Sequence, residues 1–343
     1  MKKNKTNYLC FFMVLTLSIF SCSVDDEIDM QDEKYVLIIP AGFPYPDIPA
    51  DNPLTQAKIN LGKKLFYDPI LSIDSTISCG SCHKAELAFS DDVSISEGVF
   101  GRLGFRNSPS LANVVYYPLM LKDGGNPNLE TQPYVPIETH FEMDFNMVLL
   151  VNRLNENADY VEEFKAVFGK TPDPFGITRA LAAFERTLIS GNSAYDQYTY
   201  QGKTSALTTS QKIGMELFFS TELNCSSCHG GFLLTDNTFQ NNGYFSNYSA
   251  DSGRARITLL QEDVGKFRVP TLRNIGLTAP YMHDGSVVTL EEVIDQYMLG
   301  GSGHVNQSEL IKPFNLSLVE KSDLINFLNA LTDEEFISDP AFK

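Results

Sequence analysis

Two short segments of the sequence each combine two cysteines with a histidine at a fixed spacing. Residues 77–85 read ISCGSCHKA, and residues 222–231 read ELNCSSCHGG. On one helical turn, residues at i, i+3 and i+4 share a face, so two thiols and an imidazole can meet one flat ligand. This CxxCH pattern is typical of c-type haem, whose vinyl groups bind the thiols and whose iron binds the histidine. The predicted haem-binding residues are Cys79, Cys82 and His83 in the first segment and Cys225, Cys228 and His229 in the second.

Other uses of the cysteines are open but explain less of the pattern. The chain has six cysteines, and the four outside the N-terminal segment all lie in the two motifs. Paired cysteines of this kind also form redox-active disulfides or zinc sites. Neither explains why a histidine directly follows each pair. Two covalently bound haem c groups are therefore the favoured interpretation.

The N-terminus resembles a bacterial export signal. Three lysines precede a short apolar stretch that ends at Ser21, as in secretory signals. Cys22 follows at the position of the lipid-bearing cysteine of a lipoprotein. We expect residues 1–21 to be removed and the protein to be anchored at Cys22 in the periplasm or cell envelope. A plain secretory signal and an uncleaved anchor helix are the alternatives, and the short apolar core disfavours the helix.

The charge of the chain is strongly negative. Loss of residues 1–21 removes three lysines and no acid, which changes the formal charge from −17 to −20. Such acidity argues against a nucleic-acid partner and suits a basic electron donor. We expect membrane contact only through the lipid anchor. The acidic, non-periodic segment at residues 22–35 predicts a flexible tether, which we extend to residue 50.

The segment before each motif is repeated. LGKKLFYD at 61–68 and IGMELFFS at 213–220 predict amphipathic helices with their Leu-Phe pairs in register. Strand signals are weak. We therefore predict a mostly α fold with two cytochrome c-type domains, residues 51–200 and 201–343, each around one haem and joined by long loops. Further helices are predicted at 146–168, 176–190, 289–299 and 317–331, and the last two begin with capping boxes.

Segments between and after the motifs resemble one protein family. GFRNSPSLANV, DGGNPNLETQPYVPIETHFEM and FRVPTLRNIGLTAPYMHDGS are similar to the bacterial dihaem cytochrome c peroxidase and MauG superfamily. The resemblance covers about residues 50–335, in the family's order and spacing. It implies that the haem at His83 reacts with hydrogen peroxide. It also implies that the haem at His229 receives electrons from a small cytochrome c or cupredoxin, and it is compatible with a homodimer.

The resemblance assigns two residues to peroxide chemistry. Glu142 and Gln132 match the distal acid and amide of the family, and Pro136 matches a proline of the same pocket. Heterolytic cleavage of peroxide needs a group that takes a proton from one oxygen and returns it to the other, and one carboxyl can do both. We predict that Glu142 does so and that Gln132 orients peroxide.

The resemblance also implies a calcium site between the haems. Asn107 matches its side-chain ligand, and the backbone oxygens of Thr278 and Pro280 match two others. Oxygen ligands of this kind suit a hard cation. We therefore expect Ca²⁺ as a further cofactor.

Two positions depart from the family pattern. Lys122 stands where the family often has a tryptophan, and the chain has no tryptophan. Lysine cannot host a radical hole, so long-lived charge sharing between the haems is disfavoured. The position of the second haem's sixth ligand falls on Tyr297, as in MauG, whereas related peroxidases usually have methionine. Met298 is the alternative, and only one of two adjacent helical residues can reach the iron.

The remaining histidines bear on the resting state of the enzyme. In many family members a histidine of the loop after the first motif caps the peroxide-reacting haem until the other haem is reduced. Here that loop, residues 84–107, has no histidine, methionine or cysteine, and the family position is Val99. We predict an oxidised enzyme that reacts without prior reduction. His140 could touch the pocket, His283 is expected to line the haem crevice, and His304 is expected to face solvent.

These observations predict an exported dihaem peroxidase that reduces hydrogen peroxide to water. A MauG-like oxidase of a protein or organic substrate and a non-catalytic electron-transfer cytochrome are the alternatives. A distal acid such as Glu142 has no use in a carrier, and the missing tryptophan disfavours MauG chemistry.

Overall fold

The computed structural model describes residues 34–343, so the predicted signal and Cys22 lie outside the described residues. Within the described part the regular structure is mostly helical, as predicted. A short antiparallel ribbon pairs β1 (Phe239–Gln240) with β2 (Phe267–Arg268). No helix in residues 34–343 has the length and apolarity needed to cross a membrane. The α-helices are α1 (Gln56–Tyr67), α2 (Cys79–Cys82), α3 (Tyr134–Glu138), α4 (Met147–Asn155), α5 (Ala158–Phe168), α6 (Pro174–Glu185), α7 (Ala194–Thr199), α8 (Thr209–Phe218), α9 (Ala255–Thr258), α10 (Leu290–Met298), α11 (Leu318–Asn329) and α12 (Glu334–Ser338).

The first domain is organised by the crossing of α1 and α6. Gly62 lies at the crossing, where a Cβ atom would come within 1.9 Å of the Ala180 carbonyl oxygen. A larger residue would therefore separate the helices. Close approach brings the Phe66 and Phe184 rings together, with centroids 5.2 Å apart. Both rings are buried, so this crossing forms the centre of the first core.

The second domain repeats this crossing with α8 and α11. A Cβ on Gly214 would come within 1.9 Å of the Asp323 carbonyl oxygen. The Phe218 and Phe327 rings pack beside it, with centroids 5.3 Å apart. Gly62 and Gly214 occupy the same place in the repeated LGKKLF and IGMELF segments. The sequence repeat therefore reflects the same close helix crossing, with a glycine at the contact and a phenylalanine pair beside it, in both domains.

Most predicted helices are present, with one interruption. The predicted helix at 146–168 is divided into α4 and α5, because the Asn157 side chain accepts hydrogen bonds from the amides of Asp159 and Tyr160 and starts a new helix. The capping boxes at Thr289 and Ser317 are confirmed at the starts of α10 and α11.

The second domain begins before residue 201. Tyr195 packs in its core, with its ring centroid 5.7 Å from that of Phe327. Asp196 is fully buried and forms a two-bond ion pair with Arg273, at 2.8 and 2.9 Å. Removing either partner leaves an unpaired buried charge, which is strongly destabilising. The helix α7 therefore belongs to the second domain, contrary to the predicted boundary.

Both ends of the described chain pack on the first domain. The Phe336 and Phe342 rings lie 5.8 and 6.1 Å from the Phe89 ring, centroid to centroid. Leu37 is buried in the same core. The last residues are therefore not part of the second domain, and residues 34–50 are not a flexible tether. In both cases apolar side chains at the chain ends complete a core that the central helices leave open.

A third apolar cluster joins the two domains. The rings of Phe43, Tyr116 and Phe232 pack edge to face, with centroids 4.9–6.0 Å apart. Arg106 of the first domain adds a two-bond ion pair with Asp251 of the second, at 2.6 and 2.8 Å. These contacts hold the two cysteine motifs in one fixed arrangement.

Candidate active site

The two motif histidines have the same surroundings. The Nδ1–H of His83 donates to the Phe89 carbonyl oxygen at 2.9 Å, and that of His229 donates to the Leu234 carbonyl oxygen at 3.3 Å. Burial lowers the pKa of both imidazoles. Each ring is therefore held neutral, with the lone pair of Nε2 free for a metal. A metal-ligating histidine almost always donates its other ring N–H in this way, so both residues fit an axial position on haem iron.

The cysteines are placed to act together with these histidines. In both motifs the backbone amide of the histidine donates to the carbonyl of the first cysteine, at 3.0 Å for His83 and 2.9 Å for His229, which closes one helical turn. None of the four cysteines forms a disulfide. Within residues 34–343 no group of three or more His, Cys, Asp or Glu side chains is arranged to hold a metal ion. The residues therefore fit two separate haem groups better than a shared zinc site.

Glu142, the predicted acid–base residue, has a carboxyl whose charge acts on the cysteines of the first motif. Burial raises the pKa of Cys79 and Cys82, and the charge of Glu142 is one of the smaller effects in the same direction, so the carboxyl lies within electrostatic range of both thiols. Burial also raises the pKa of Glu142 itself to about 7. A carboxyl with a pKa near neutrality can both take up and release a proton. A catalytic role of Glu142 at the first motif therefore stays a prediction, which its burial and raised pKa support.

Gln132 lies just before α3, and Pro136 lies within α3, upstream of Glu142 in the chain. The Gln132 Oε1 atom is buried and has no hydrogen-bond partner in the described part of the chain. A buried amide oxygen without a partner indicates a place for a hydrogen-bonding ligand. The carbonyl of Pro136 accepts from the Met143 amide at 3.1 Å, next to Glu142. Val99 packs against the same segment, and its amide donates to the Glu142 carbonyl at 2.9 Å.

The second domain contains a cavity of about 320 Å³ beside its motif. Its lining includes His229, both neighbouring cysteines and Tyr297, together with residues of the first domain. Burial raises the pKa of Tyr297, and the Cys225 and Cys228 thiols act in the same direction. Met298 instead packs at the edge of the second apolar core. The geometry therefore favours Tyr297 over Met298 as the side chain that reaches the second haem.

We expect Tyr297→Phe to change the spin state and the midpoint potential of the second haem, because the substitution removes the only oxygen of that side chain. Met298→Leu should leave both unchanged. Phenolate favours ferric iron and a low potential, whereas a thioether favours ferrous iron and a high one. Electronic spectra and a redox titration of the two holoprotein variants give the answer. A spectral change in Met298→Leu alone would reverse the assignment.

Lys122 occupies the space between the two sites. Its Nζ lies 3.4 Å from the Asn107 Oδ1 atom and 3.4 Å from the Met282 carbonyl oxygen. Thr278 and Pro280 line the same cavity. The three predicted calcium ligands therefore line one cavity with the Lys122 amine, which already contacts the Asn107 oxygen. Burial, with the charges of Arg106 and Arg268, lowers the pKa of Lys122 to about 7.

The other histidines differ in their surroundings. His283 lines the cavity and stacks on Phe267, with ring centroids 4.1 Å apart, as expected of a crevice residue. The side chain of His140 is 70% exposed and lies 3.3 Å from the Asp144 carboxylate. The expectation for His304 is wrong, because its ring is partly buried and accepts a hydrogen bond from the Asn306 amide at 3.1 Å. That contact joins the loop to itself and removes the ring from open solvent.

The structure adds residues that the sequence patterns did not reveal. Glu185 is buried on α6, its charge raises the pKa of Cys79, and burial raises its own pKa to about 8. A glutamate within the apolar run ALAAFE was the available signal. Arg268 lies 3.9 Å from the centre of the Tyr117 ring, and both residues line the cavity.

Comparisons with known proteins agree with this arrangement. The family described as "Di-haem cytochrome c peroxidase" matches residues 56–205. The chain is 36% identical to the cytochrome-c peroxidase IdrP1 of Pseudomonas sp. (strain SCT), over 86% of each chain. It is 35% identical to the methylamine utilization protein MauG of Methylorubrum extorquens, over 86% of this chain and 83% of that protein. The crystal structure of a MauG-like protein associated with microbial copper homeostasis superposes with a TM-score of 0.84 and 36% identity, covering 90% of this chain and 99% of that one.

Proposed function

Because the chain belongs to the di-haem cytochrome c peroxidase and MauG family, we propose that it reduces hydrogen peroxide to water with electrons from a small redox protein. The family implies haem cofactors. The four motif cysteines are proposed to attach two haems covalently, with His83 and His229 as the axial ligands. When bound, the haems supply the iron and the electron storage that the reaction needs.

The observation that carries this proposal is the position and the pKa of Glu142. Its charge acts on Cys79 and Cys82 of the first motif, and burial raises its pKa to about 7. In the ionised form it takes a proton from one peroxide oxygen and returns it to the other, which leaves as water. The buried Gln132 Oε1 atom has no partner in the described part of the chain, and we propose that it accepts a hydrogen bond from peroxide. The full reaction consumes two electrons and two further protons and releases two water molecules.

The second domain is proposed to receive the electrons. Its cavity opens toward the first domain through residues such as Asn107 and Lys122, so the second haem can lie on the path to the first. The formal charge, −17 for the full chain and −20 after removal of residues 1–21, suits a basic donor protein of the cytochrome c or cupredoxin type. Electrostatic attraction of that kind weakens as ionic strength rises.

Steady-state turnover of the purified holoprotein tests the function. Reduced cytochrome c or a reduced cupredoxin is mixed with the enzyme, and its oxidation is followed after hydrogen peroxide is added. We expect two donor molecules to be oxidised for each peroxide consumed, at a rate that falls with added salt. An absence of peroxide-dependent donor oxidation, with both haems in place, would reject the proposal.

A MauG-like oxidase remains the second candidate, because Tyr297 lines the second cavity as the tyrosine of MauG does by resemblance. Oxidation of a protein or organic substrate needs long-lived charge sharing between the haems, and Lys122 replaces the aromatic residue that would mediate it. Spectra recorded after peroxide is added without a donor distinguish the two functions. A species that decays within seconds favours the peroxidase, and one that persists for minutes favours the oxidase.

We also propose that the protein is exported and lipid-anchored at Cys22. This rests on the N-terminal sequence, which lies outside the described residues. Labelling of cells with a radioactive fatty acid, followed by immunoprecipitation of the protein and of its Cys22→Ser variant, tests the anchor. Size-exclusion chromatography with light scattering tests the homodimer.

A further inference from the structure

The space expected to hold calcium is shared by oxygen ligands and an amine. Asn107, Thr278, Pro280 and Lys122 all line the cavity beside the second motif. The Lys122 Nζ donates to the Asn107 Oδ1 atom and to the Met282 carbonyl oxygen, each at 3.4 Å. Calcium requires six to eight oxygen ligands at about 2.3–2.6 Å. Because the Lys122 amine already contacts the Asn107 Oδ1 atom, the predicted set of calcium ligands is incomplete.

The Asn107 side chain is oriented so that its Oδ1 atom accepts a hydrogen bond from the Lys122 amine. Its backbone amide donates to the His283 carbonyl at 2.9 Å, and its Nδ2 donates to the Val93 carbonyl at 3.2 Å. These two bonds fix the side-chain amide, so that Oδ1 points toward Lys122. The amine is in turn the donor that this oxygen needs.

The surrounding charges oppose a divalent cation. The permanent charges of Arg106 and Arg268 both act on Lys122. Two carboxylates, those of Asp284 and Asp251, also act on Lys122, and Asp251 is already held by Arg106 with two bonds, at 2.6 and 2.8 Å. Of these two, only Asp284 remains to attract a dication, whereas two guanidinium groups repel it.

We propose that the Lys122 amine takes the place of the inter-haem calcium in this protein, so that the site binds no calcium. The amine donates to oxygens that would otherwise face a metal ion, and it joins the loop of Asn107 to the segment of Met282. In this protein the Lys122 side chain, rather than a calcium ion that could dissociate, connects the two domains at this point.

Metal analysis of the holoprotein is the direct test. The protein is exposed to calcium, passed into calcium-free buffer, and analysed for calcium and iron. We expect two irons and far less than one calcium per chain, and an unchanged visible spectrum after EGTA is added. One calcium per two irons, or a spectral change with EGTA, would overturn the proposal. This readout is independent of peroxide turnover, so it stands apart from the proposed function.

Removal of the amine should make the protein responsive to calcium. In Lys122→Met holoprotein, about 5 mM calcium should raise the melting temperature by about 2 °C or more, since weak calcium sites have dissociation constants of about 10⁻⁴–10⁻³ M. The wild type and a variant at an exposed lysine, Lys203→Met, should not respond. Equal shifts of the melting temperature in all three proteins, or no shift in Lys122→Met, would refute the proposal that the Lys122 amine takes the place of calcium. Lys122→Gln provides a second variant if Lys122→Met does not fold.

Discussion

Glu142→Gln is expected to lower peroxide turnover by about 10² or more, the usual effect of losing an acid–base group. Glutamine keeps the shape of the side chain but cannot accept a proton from peroxide and return it. Both haems should remain bound, because Glu142 is not part of either CxxCH motif. Turnover is measured with saturating donor, and haem content by the pyridine haemochrome assay. Turnover within twofold of the wild type would remove Glu142 from the mechanism.

The pH dependence of turnover gives a second signature of the same residue. Burial raises the pKa of Glu142 to about 7, so the carboxyl is protonated below that pH and cannot act as a base. The rate constant for the reaction with peroxide should therefore rise as pH increases through about 7 and level off above it. Glu97→Gln, which changes an exposed carboxyl nearby, should keep both the rate and this profile. Glu142→Gln should lose the rise.

The fully oxidised enzyme is expected to have a high-spin first haem and to react with peroxide without prior reduction. The loop position that caps the iron in many relatives holds Val99, which is fully buried and has no lone pair to donate. Lys84 is paired with Asp91 and Asp92 at 2.9 and 2.6 Å and is not available as a ligand. Stopped-flow mixing of oxidised enzyme with peroxide, together with electron paramagnetic resonance, measures both properties.

A histidine at this position should restore the capped state. Val99→His is expected to slow the peroxide reaction of the oxidised enzyme at least about tenfold, which requires the bound imidazole to be favoured by only about 1.4 kcal/mol. Val93→His, at a 45% exposed position of the same loop, is the matched control and should react like the wild type.

Two low-spin haems in the oxidised wild type, with no reaction until an electron is supplied, would contradict the prediction. His140 would then be the first residue to replace. Its backbone carbonyl and the Asp144 side chain both accept hydrogen bonds from Arg102, at 3.0 and 2.6 Å. A swing of the His140 ring into the pocket would have to break its own contact with Asp144.

Local spacing in the sequence was sufficient for the haem motifs and for most helices. Two cysteines and a histidine on one turn need only the helical repeat to meet. The capping boxes at Thr289 and Ser317 likewise act within four residues. The repeated Leu-Phe segments showed that two similar domains exist, because a close crossing of two helices imposes the same small residue, Gly62 or Gly214, on both copies.

Tertiary packing alone decided the extent of each domain. Tyr195 and Asp196 join the second core, while Phe336 returns to the first. Nothing in the local pattern distinguishes these residues from others of their type, because a core is completed by whichever apolar segment the chain connections allow to reach it.

The functional environment also depended on contacts between distant segments. Lys122 was visible in the sequence only as a missing tryptophan, yet its amine meets Met282, 160 residues away. The raised pKa of Glu142 arises from burial, and the separation of Tyr297 from Met298 arises from the rotation of α10 against its neighbours. The sequence by itself determined which groups could bind haem. Only the three-dimensional arrangement determined which groups face each haem site, because desolvation and long-range contacts have no counterpart in local spacing.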